Sequence, residues 1–317
     1  MKFLVTGGAG FIGSHVCERL LHDGHAVWVF DDLNPFYDPQ LKRRNLRDIQ
    51  SLAKPFEFVH GDLCDHGALT ELFSSVKFDQ VIHLAARAGV RPSLAEPALY
   101  QRVNVEGTVN LLEAARKSGV KKIVLASSSS VYGVNSKVPF SENDPIFSAI
   151  SPYAASKLAG ESLGHVYHHV YGLDVAVFRL FTVYGPRQRP DLAIRKFAAL
   201  IQAGKPIPVF GDGSMARDYT YVTDTVDGII AATQQEIGFQ IFNLGESQTV
   251  SLIRLVELLE GALGKKALID RQPAQPGDVP VTFADIAKAR DRLGYQPQIK
   301  IETGIKLFID WFRKNTG

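Results

Sequence analysis

The stretch KFLVTGGAGFIG, residues 2–13, decides the fold. Lys2–Thr6 is a short apolar run that is typical of a buried parallel strand, and residues 11–23 carry apolar side chains near helical spacing. Three glycines follow the strand at three-residue spacing: Gly7, Gly10 and Gly13. In a strand–turn–helix unit, such glycines allow a tight turn, let a diphosphate approach the backbone and let helix and strand pack closely. The free N–H groups at the helix N-terminus attract phosphate, so the stretch predicts a dinucleotide site, although three glycines alone also fit a plain tight turn.

The end of the second apolar strand strengthens this prediction. Residues 26–30 lead into Asp31 and Asp32, about twenty residues after the glycines, where a dinucleotide-binding fold places a carboxylate on the 2′-hydroxyl of the adenosine ribose. An acid in this position repels a 2′-phosphate, so the sequence favours NAD over NADP.

The composition is that of an ordinary globular protein. The chain has 317 residues, of which 45% are hydrophobic and 21% charged, and its net charge of +2 gives no sign of a nucleic-acid or membrane surface. No apolar run approaches the ~20 residues of a membrane span, and no signal peptide is expected because the first apolar residues belong to the first strand. Cys17 and Cys64 are too few for a disulfide framework, so the cytoplasm is the expected compartment. None of the nine histidines forms a ligand motif such as HExxH, and no metal is expected.

Strands and helices alternate through the first half of the chain. The further strands predicted there are residues 56–59, 80–84, 122–126 and 173–180, and the long helices are 95–118 and 153–171. This alternation predicts an α/β fold with a doubly wound parallel sheet of the Rossmann type, whose ligands lie beyond the carboxyl ends of the strands.

The composition of the sequence changes from Thr182 onward. Proline and glycine interrupt short elements there, and the predicted helices are residues 250–263, 285–293 and 303–314. We expect an NAD-binding domain at residues 1–180 and a smaller α/β substrate-binding lobe at 181–317, with some segments returning to the first domain. The substrate cleft is expected between the two.

Several residues near the strand ends are candidates for cofactor binding. Asp62 can accept from the adenine amino group, or it can cap a helix that begins near His66. Lys42 can reach phosphate, or it can lie on a solvated helix face. Besides the three glycines, the predicted cofactor-binding residues are Phe11, Ile12, Asp31, Asp32, Asn34, Lys42, Asp62, Leu63, Leu84, Ala85, Ala86, Asn104, Ser127, Tyr153 and Lys157.

The segment Tyr153-Ala-Ala-Ser-Lys157 contains two candidate catalytic residues, a tyrosine and a lysine. The two polar residues are four apart and therefore share one face of a helix. A tyrosine has a reference pKa of about 10, but a neighbouring ammonium stabilises the phenolate and lets it take a proton from a substrate hydroxyl. This spacing alone is common on ordinary helices, and it gains meaning from the glycine turn, the acid after the second strand and the serine run 127–130.

Together these motifs resemble the extended short-chain dehydrogenase/reductase family, over nearly the whole chain. The resemblance also rests on His83-Leu84-Ala85-Ala86 and on Asn104. It implies a catalytic set of Ser128, Tyr153 and Lys157, with Ser129 as the alternative register for the serine, and NAD held throughout turnover. It also implies a homodimer, formed through helices 95–118 and 153–171.

Within that family, the serine run favours epimerisation. Nucleotide-sugar dehydratases look like Thr-Asp-Glu at this place and decarboxylases carry a glutamate, whereas Ser129 and Ser130 cannot serve as carboxylates. In the second lobe, residues 207–213 with Arg217, and the run that contains Gln275 and Asp278, look like the segments that hold the nucleotide of a UDP-sugar. Arg217 can instead pair with Asp218 or Asp224.

The closest resemblance is to UDP-glucuronate 4-epimerases. It rests on residues 30–34, on Ala88-Gly89-Val90-Arg91 and on the run 182–191, in which Thr182 and Arg189 are expected to hold the sugar carboxylate. Two residues depart from the common pattern: Arg87, where many members carry Gln, and Pro92, where Tyr is common. The predicted substrate-binding residues are Arg91, Ser128, Ser129, Thr182, Arg189, Val209, Arg217, Gln275 and Asp278.

The expected reaction is therefore the NAD-dependent interconversion of UDP-glucuronate and UDP-galacturonate through a 4-keto sugar. The alternatives are a UDP-glucose or UDP-N-acetylglucosamine 4-epimerase, a UDP-glucuronate decarboxylase, and an NAD-binding regulator without turnover. The presence of both Tyr153 and Lys157 disfavours the last of these.

Overall fold

The computed structural model describes residues 1–135, 137–146, 148–273 and 279–315. The strands within these residues are β1 (Lys2–Thr6), β2 (Ala26–Asp31), β3 (Phe56–His60), β4 (Gln80–His83), β5 (Lys122–Ser128), β6 (Asp174–Leu180), β7 (Thr182–Tyr184), β8 (Ile207–Phe210), β9 (Ala216–Tyr221), β10 (Phe239–Leu244), β11 (Thr249–Ser251) and β12 (Ile269–Gln272).

The α-helices of the same residues are α1 (Phe11–His22), α2 (Pro39–Gln50), α3 (His66–Ser75), α4 (Val90–Ala95), α5 (Pro97–Gln101), α6 (Gly107–Ser118), α7 (Pro152–Tyr171), α8 (Ala193–Gln202), α9 (Val222–Thr233), α10 (Leu252–Leu263), α11 (Ala287–Leu293) and α12 (Ile301–Asn315). A π-helical turn, Arg102–Glu106, precedes α6, and a 3-10 turn, Ser129–Tyr132, follows β5. None of the helices in the described part of the chain combines the length and apolar character needed to cross a membrane.

Seven strands form the central sheet in the order β10-β6-β5-β4-β1-β2-β3, and all neighbours are parallel. This sheet confirms the predicted doubly wound α/β fold. The strand order reverses at β1, which lies between β2 and β4. In open parallel sheets the ligand crevice lies beyond the carboxyl ends of the strands at such a reversal.

Apolar side chains of the central strands alternate between two cores. On β1, Phe3 and Val5 belong to one buried cluster and Leu4 to the other. Because successive side chains of a strand point to opposite faces, a sheet covered by helices on both sides needs continuous apolar strands. That requirement explains why the run Lys2–Thr6 reads as a buried strand.

Part of the chain beyond residue 180 returns to this sheet. The edge strand β10 pairs in parallel with β6, from Phe239 opposite Val175 to Leu244 opposite Leu180. The remaining strands of that part form two small sheets, β11-β9-β7 and β12-β8. The sequence prediction allowed for returning segments but did not identify this strand.

The predicted helix 95–118 begins two residues too early: residues 97–118 are helical throughout, as α5, a π-helical turn and α6. The chain breaks between α4 and α5 at Glu96, whose backbone lies at φ −130° and ψ 54°, and it passes through a π-helical turn before α6. Pro97 explains the break, because a proline lacks the N–H that would continue the helix and disfavours helical geometry in the residue before it.

Candidate active site

The glycine turn has the geometry of a close approach. Gly7 has a φ of +71°, and a Cβ placed on it would lie 2.7 Å from the backbone nitrogen of Ala85. A Cβ on Gly13 would lie 2.2 Å from the carbonyl oxygen of Gly7. Helix α1 begins after Gly10 with no side-chain cap on its first N–H groups. Because no capping side chain accepts from these N–H groups, they are suited to bind a diphosphate in the crevice.

Asp31 closes the nucleotide end of the crevice. Its carboxylate is buried and accepts from the N–H of Leu33 at 2.9 Å, from the N–H of Ala9 at 3.3 Å and from Nζ of Lys42 at 3.5 Å. Burial raises the pKa of Asp31, and the positive charge of Lys42 opposes that shift. Lys42 also lies over the ring of Tyr37 at 5.4 Å, so it is not on a solvated helix face.

The alternative role of Asp62 as a helix cap is not what the structure has. Asp65 caps α3, since its Oδ1 accepts from the N–H of Ala68 at 3.0 Å. Asp62 accepts from the N–H of Cys64 at 2.9 Å and lines the crevice.

Helix α7 positions the predicted catalytic pair. Its first turn is capped by Ser151, whose Oγ accepts from the N–H of Ala154 at 3.1 Å. Tyr153 and Lys157 follow one turn apart. The Lys157 ammonium donates to the carbonyl oxygen of Ala126 in β5 at 2.7 Å, which holds it at the strand end.

Burial shifts the pKa of both members of this pair. It lowers the pKa of Lys157 to about 8, and the charge of Glu161 opposes the shift. It raises the pKa of Tyr153, and the hydrogen bond with Ser128 and the positive charge of Arg189 oppose that rise. The phenol of Tyr153 is therefore protonated at neutral pH in the protein alone, and further positive charge beside it favours proton release.

The serines of the run 127–130 have different partners. Ser128 lies beside Tyr153, and its Oγ contacts the Oγ of Ser130 at 3.1 Å and accepts from the N–H of Ser130 at 3.2 Å, which fixes the start of the 3-10 turn. Ser127 instead donates to Glu161 at 2.5 Å. Ser128 is thus the serine that contacts Tyr153, and Ser129 is a cleft residue beside it.

These groups line one cleft of about 400 Å³ at the carboxyl ends of the strands. The cleft contains the three predicted catalytic residues, Ser128, Tyr153 and Lys157. The predicted binding residues that line it are Gly7, Gly10, Phe11, Ile12, Gly13, Asp31, Asp32, Asn34, Lys42, Asp62, Leu63, Leu84, Ala85, Ala86, Ser127, Ser129, Thr182 and Arg189. Residues that sequence reasoning did not assign to binding also line it, among them Tyr37, Arg87, Val103, Phe181 and Leu192.

Asn104 does not line the cleft but supports it. Its amide accepts from the N–H of Arg87 at 2.8 Å and donates to the carbonyl oxygen of Arg87 at 3.0 Å. It also donates to Oγ of Ser156 on α7 at 2.9 Å. Asn104 therefore ties the loop after β4 to the catalytic helix.

His83 is a buried support for the same loop. Thr108 donates to the carbonyl oxygen of Asn104 at 2.6 Å, so its Oγ1 accepts from Nε2 of His83 at 3.0 Å, and Nδ1 accepts from Thr6 at 2.7 Å. Burial and the charge of Lys157 lower the pKa of His83 to about 3. The neutral ring has no free donor or acceptor for catalysis.

Arg189 brings a guanidinium to the end of the cleft that contains Tyr153. Its Nε and Nη2 donate to the two oxygens of Asp191 at 3.0 and 2.6 Å, and the guanidinium lies 5.2 Å from the ring of Phe36. Nη1 makes no hydrogen bond within the described residues. Arg189 therefore reaches the cleft with one edge already paired.

Three of the predicted substrate-binding residues, Arg91, Val209 and Arg217, do not line this cleft. Arg91 lies over the ring of Phe210 at 5.0 Å, and Val209 is buried in β8. Arg217 donates to the carbonyl oxygens of Ala216 and Pro280 at 2.9 and 3.3 Å. Gln275 and Asp278 lie outside the described residues.

The carboxylates proposed as alternative partners of Arg217 are occupied by backbone donors. Asp218 accepts from the N–H groups of Glu246, Ser247 and Ala284, and Asp224 accepts from those of Gln298 and Ile299. In the part of the chain that the structure covers, no group of three or more His, Cys, Asp and Glu side chains could hold a metal ion.

The chain matches the family model for GDP-mannose 4,6 dehydratase over residues 4–308. It is 46% identical over 314 residues to the UDP-glucuronate 4-epimerase of Thermodesulfobacterium geofontis, which covers 99% of this chain and 96% of that protein. The structure matches the UDP-glucuronic acid 4-epimerase of Bacillus cereus, in complex with UDP-glucuronic acid and NAD, with a TM-score of 0.92 at 36% identity over 99% of both chains. It matches the UDP-glucose 4-epimerase of Thermotoga maritima, with UDP-glucose, at a TM-score of 0.92 and 35% identity over 100% of both chains.

The likeness extends over the glycine turn, the seven-stranded sheet and the Tyr153–Lys157 pair, since the matches span nearly the whole chain. They confirm the family that the sequence motifs predicted. The chain belongs to the GDP-mannose 4,6 dehydratase family of extended short-chain dehydrogenases/reductases.

Proposed function

We propose that the protein is an NAD-dependent 4-epimerase that interconverts UDP-glucuronate and UDP-galacturonate. The observation that carries the proposal is the placement of Arg189 and Thr182 in the same cleft as Ser128, Tyr153 and Lys157. A proton-transfer group and a guanidinium for a carboxylate then act on one sugar. The relatives named above support it, because two of them are UDP-glucuronate 4-epimerases and one contains UDP-glucuronic acid and NAD.

The cleft fits NAD at its nucleotide end. The uncapped start of α1 and the glycine turn would hold the diphosphate, and Asp31 would accept from the adenosine ribose hydroxyls. Lys157 and Tyr153 lie at the other end, where the nicotinamide ribose and ring would be placed. When bound there, NAD would supply the acceptor for the hydride from C4 of the sugar and the donor that returns it to the opposite face.

The protein's own contribution is proton transfer and positioning. The phenol oxygen of Tyr153 removes the proton from the sugar O4 and later returns it, and Ser128 holds the same oxygen through its hydroxyl. The Lys157 ammonium, fixed by the carbonyl of Ala126, stabilises the phenolate. The 4-keto sugar must rotate to present its other face while its UDP group stays bound. Binding of the UDP group, away from the reacting carbon, supplies the energy that retains the intermediate.

A uronate adds one demand to this scheme. Its 4-keto form is a β-keto acid, which loses CO₂ readily when its carboxylate stands out of the sugar plane. Nη1 of Arg189 and the hydroxyl of Thr182 would hold the carboxylate in the plane. The serines that follow Ser128 offer no carboxylate of the kind that the resemblance associates with decarboxylases.

A second candidate is a UDP-glucose 4-epimerase. The bidentate pairing of Arg189 with Asp191 favours it, because a neutral hydroxymethyl group needs no guanidinium. The likeness to the Thermotoga maritima structure, which contains UDP-glucose, is as strong by TM-score as that to the Bacillus cereus structure.

Assays of the purified full chain with UDP-glucuronate and with UDP-glucose, side by side, separate the two candidates. We expect kcat/KM to favour UDP-glucuronate by at least about tenfold, which corresponds to ~1.4 kcal/mol of differential binding. Equal or better turnover of UDP-glucose overturns the uronate assignment. Release of NAD from heat-denatured protein tests the cofactor independently of the sugar.

The second lobe would hold the UDP group. Arg217 is the second residue of β9 and would reach the diphosphate, with Val209 and the run containing Gln275 and Asp278 around the nucleotide. An Arg217→Gln variant should weaken binding of UDP itself, measured by calorimetry, and not only of the sugar.

A homodimer and a cytoplasmic location complete the proposal. Val166, Val170 and Tyr171 on α7 are exposed, whereas Leu111 on α6 is buried in the protein's own core. An apolar face on α7 suits an isologous contact between two copies. Light scattering should give a dimer for the wild type and a monomer for Val166→Glu/Val170→Glu, and a wild-type monomer at micromolar concentration overturns this part. The free cysteines Cys17 and Cys64 suit a reducing compartment.

A further inference from the structure

Arg87 has no role in the scheme above, although its side chain lines the cleft. It stands on the loop that follows β4. Its backbone is fixed on both sides by Asn104, which in turn is bonded to Ser156 on the catalytic helix. The base of the side chain is therefore rigid, and its guanidinium is presented to the cleft from a defined point.

The guanidinium of Arg87 is largely buried, and its donors lack hydrogen-bond partners among the described residues. Its side chain is 16% exposed, and its Nε has no hydrogen-bond partner among the described residues. The nearest acid is Asp32, whose Oδ2 is 3.8 Å from Nη2, which is beyond hydrogen-bond distance. A buried donor left unpaired destabilises the protein, so a ligand that accepts from it is favoured.

The other cations that line the cleft already have close partners. Lys42 donates to Asp31, Lys157 to the carbonyl of Ala126, and Arg189 to Asp191. Within the described lining of the cleft, Arg87 is the cation whose charged group makes an ion pair, with Asp32 at 3.8 Å, but no hydrogen bond.

The position of Arg87 selects which anion. Asp32 follows β2 and Arg87 follows β4, and these two strands flank β1, from which the glycine turn departs. The same loop packs against that turn, since a Cβ on Gly7 would lie 2.7 Å from the nitrogen of Ala85. Arg87 and Asp32 therefore stand on either side of the place where the start of α1 would hold a diphosphate. The guanidinium at the sugar end, Arg189, belongs to a different part of the chain.

We propose that Arg87 binds the diphosphate of NAD and acts as a clamp over it, with Asp32 holding the guanidinium in place. A planar guanidinium can donate to two phosphate oxygens at once, which the amide of Gln cannot do with a positive charge. The inference rests on the NAD site and not on the choice of sugar.

Competition between nucleotides tests the clamp in the full-chain protein. The protein is equilibrated with labelled NAD, and the concentrations of ADP and of adenosine that displace half of the label are compared. The measured quantity is the half-displacing concentration of adenosine divided by that of ADP. In Arg87→Gln we expect this ratio to fall by about 10- to 100-fold, as for loss of a hydrogen bond to a charged group. The half-displacing concentration of adenosine itself should change less than about twofold. Arg87→Lys keeps the positive charge but cannot donate two parallel hydrogen bonds, so it should retain part of the preference for ADP over adenosine.

Arg91→Gln is the matched control, because it removes the same charge four residues away, in α4, at a side chain that stacks on Phe210 and does not line the cleft. It should leave the ratio of ADP to adenosine unchanged. An unchanged ratio in Arg87→Gln overturns the proposal, and so does an equal loss for both competitors, which indicates a structural role. Neither outcome depends on epimerase activity, so failure of the clamp and failure of the proposed function are distinguishable.

Discussion

The two ends of the cleft are built in different ways. At the nucleotide end, backbone groups provide the site: a glycine turn, the uncapped start of α1, and a carboxylate fixed by the N–H groups of Leu33 and Ala9. At the sugar end, side chains from distant elements meet: Tyr153 on α7, Ser128 at the end of β5 and Arg189 on a loop beyond β7. The first end can bind the same dinucleotide in many relatives, while the second end can change substrate through single side chains.

The largest effect should come from Tyr153→Phe. The substitution removes the oxygen that carries the proton, so turnover should fall by roughly 10²- to 10⁴-fold, the usual range for a general acid–base. NAD released on denaturation should stay at the wild-type level, because the nucleotide end is built from other residues. Near-normal turnover would remove Tyr153 from the mechanism, and joint loss of NAD and turnover would show that the two ends are not separable.

The next effect should come from Arg189→Ala, which breaks the sugar end alone. If the guanidinium pairs with the sugar carboxylate, its loss should cost about 2–5 kcal/mol on UDP-glucuronate, roughly 30-fold to several thousand-fold in kcat/KM. UDP-glucose, which has no carboxylate, should lose little. The variant should also release CO₂, because the carboxylate of the 4-keto sugar is no longer held in plane.

Equal losses on both substrates in Arg189→Ala would contradict the carboxylate role and point to the diphosphate instead. Thr182→Val is a companion variant at the same end of the cleft. Its losses should be smaller than those of Arg189→Ala and again confined to UDP-glucuronate, since a hydroxyl forms a neutral donor.

The contrast between the two ends also explains what could be learned from the sequence. Glycine spacing, apolar runs and an acid at a strand end are local signals, and they predicted the parallel sheet that the structure has and the residues that line the cleft beside β1. Pro97 is a local signal as well, since a proline favours the first turn of a helix and disfavours helical geometry before it, and it marks the observed start of α5. By contrast, the role of Asn104 depends on a loop seventeen residues away and on Ser156, and the strand β10 depends on pairing with β6. Such long-range partners leave no local pattern. The pairing of Arg189 with Asp191 is close in sequence but depends on loop geometry.

A moderate effect of pH should connect the two ends through Lys157. Its pKa is lowered to about 8 by burial, so the ammonium that supports the Tyr153 phenolate is lost as the pH rises through 8. Turnover should decline above pH 8, by up to about tenfold per unit of pH if the ammonium is required. In Lys157→Arg the charge persists, and the decline should vanish although the rate is lower.

The low pKa of Lys157 should also make the free energy of unfolding depend on pH. Between pH 8 and the unperturbed lysine pKa of about 10.4, the unfolded chain binds the proton of Lys157 and the folded protein does not. The free energy of unfolding should therefore gain a contribution from Lys157 as the pH rises across this window, and lose it as the pH falls through 8. Urea melts of the wild type and Lys157→Met isolate this slope, and identical slopes would contradict the low pKa.

The smallest effect should come from Asp191→Asn, which sharpens the account of the sugar end. Asp191 holds two donors of Arg189 in the free protein, and its side chain is 41% exposed, so the pair contributes little to stability. A pair of this kind is worth about 0.2–1 kcal/mol, so freeing the guanidinium should lower KM for UDP-glucuronate by roughly 1.5- to 5-fold and leave UDP-glucose unchanged. If Asp191 instead orients Arg189 for the carboxylate, the same substitution should raise KM for UDP-glucuronate. The direction of the change thus decides whether Asp191 competes with the substrate or positions its partner, and unchanged constants for both sugars would remove Arg189 from the sugar site.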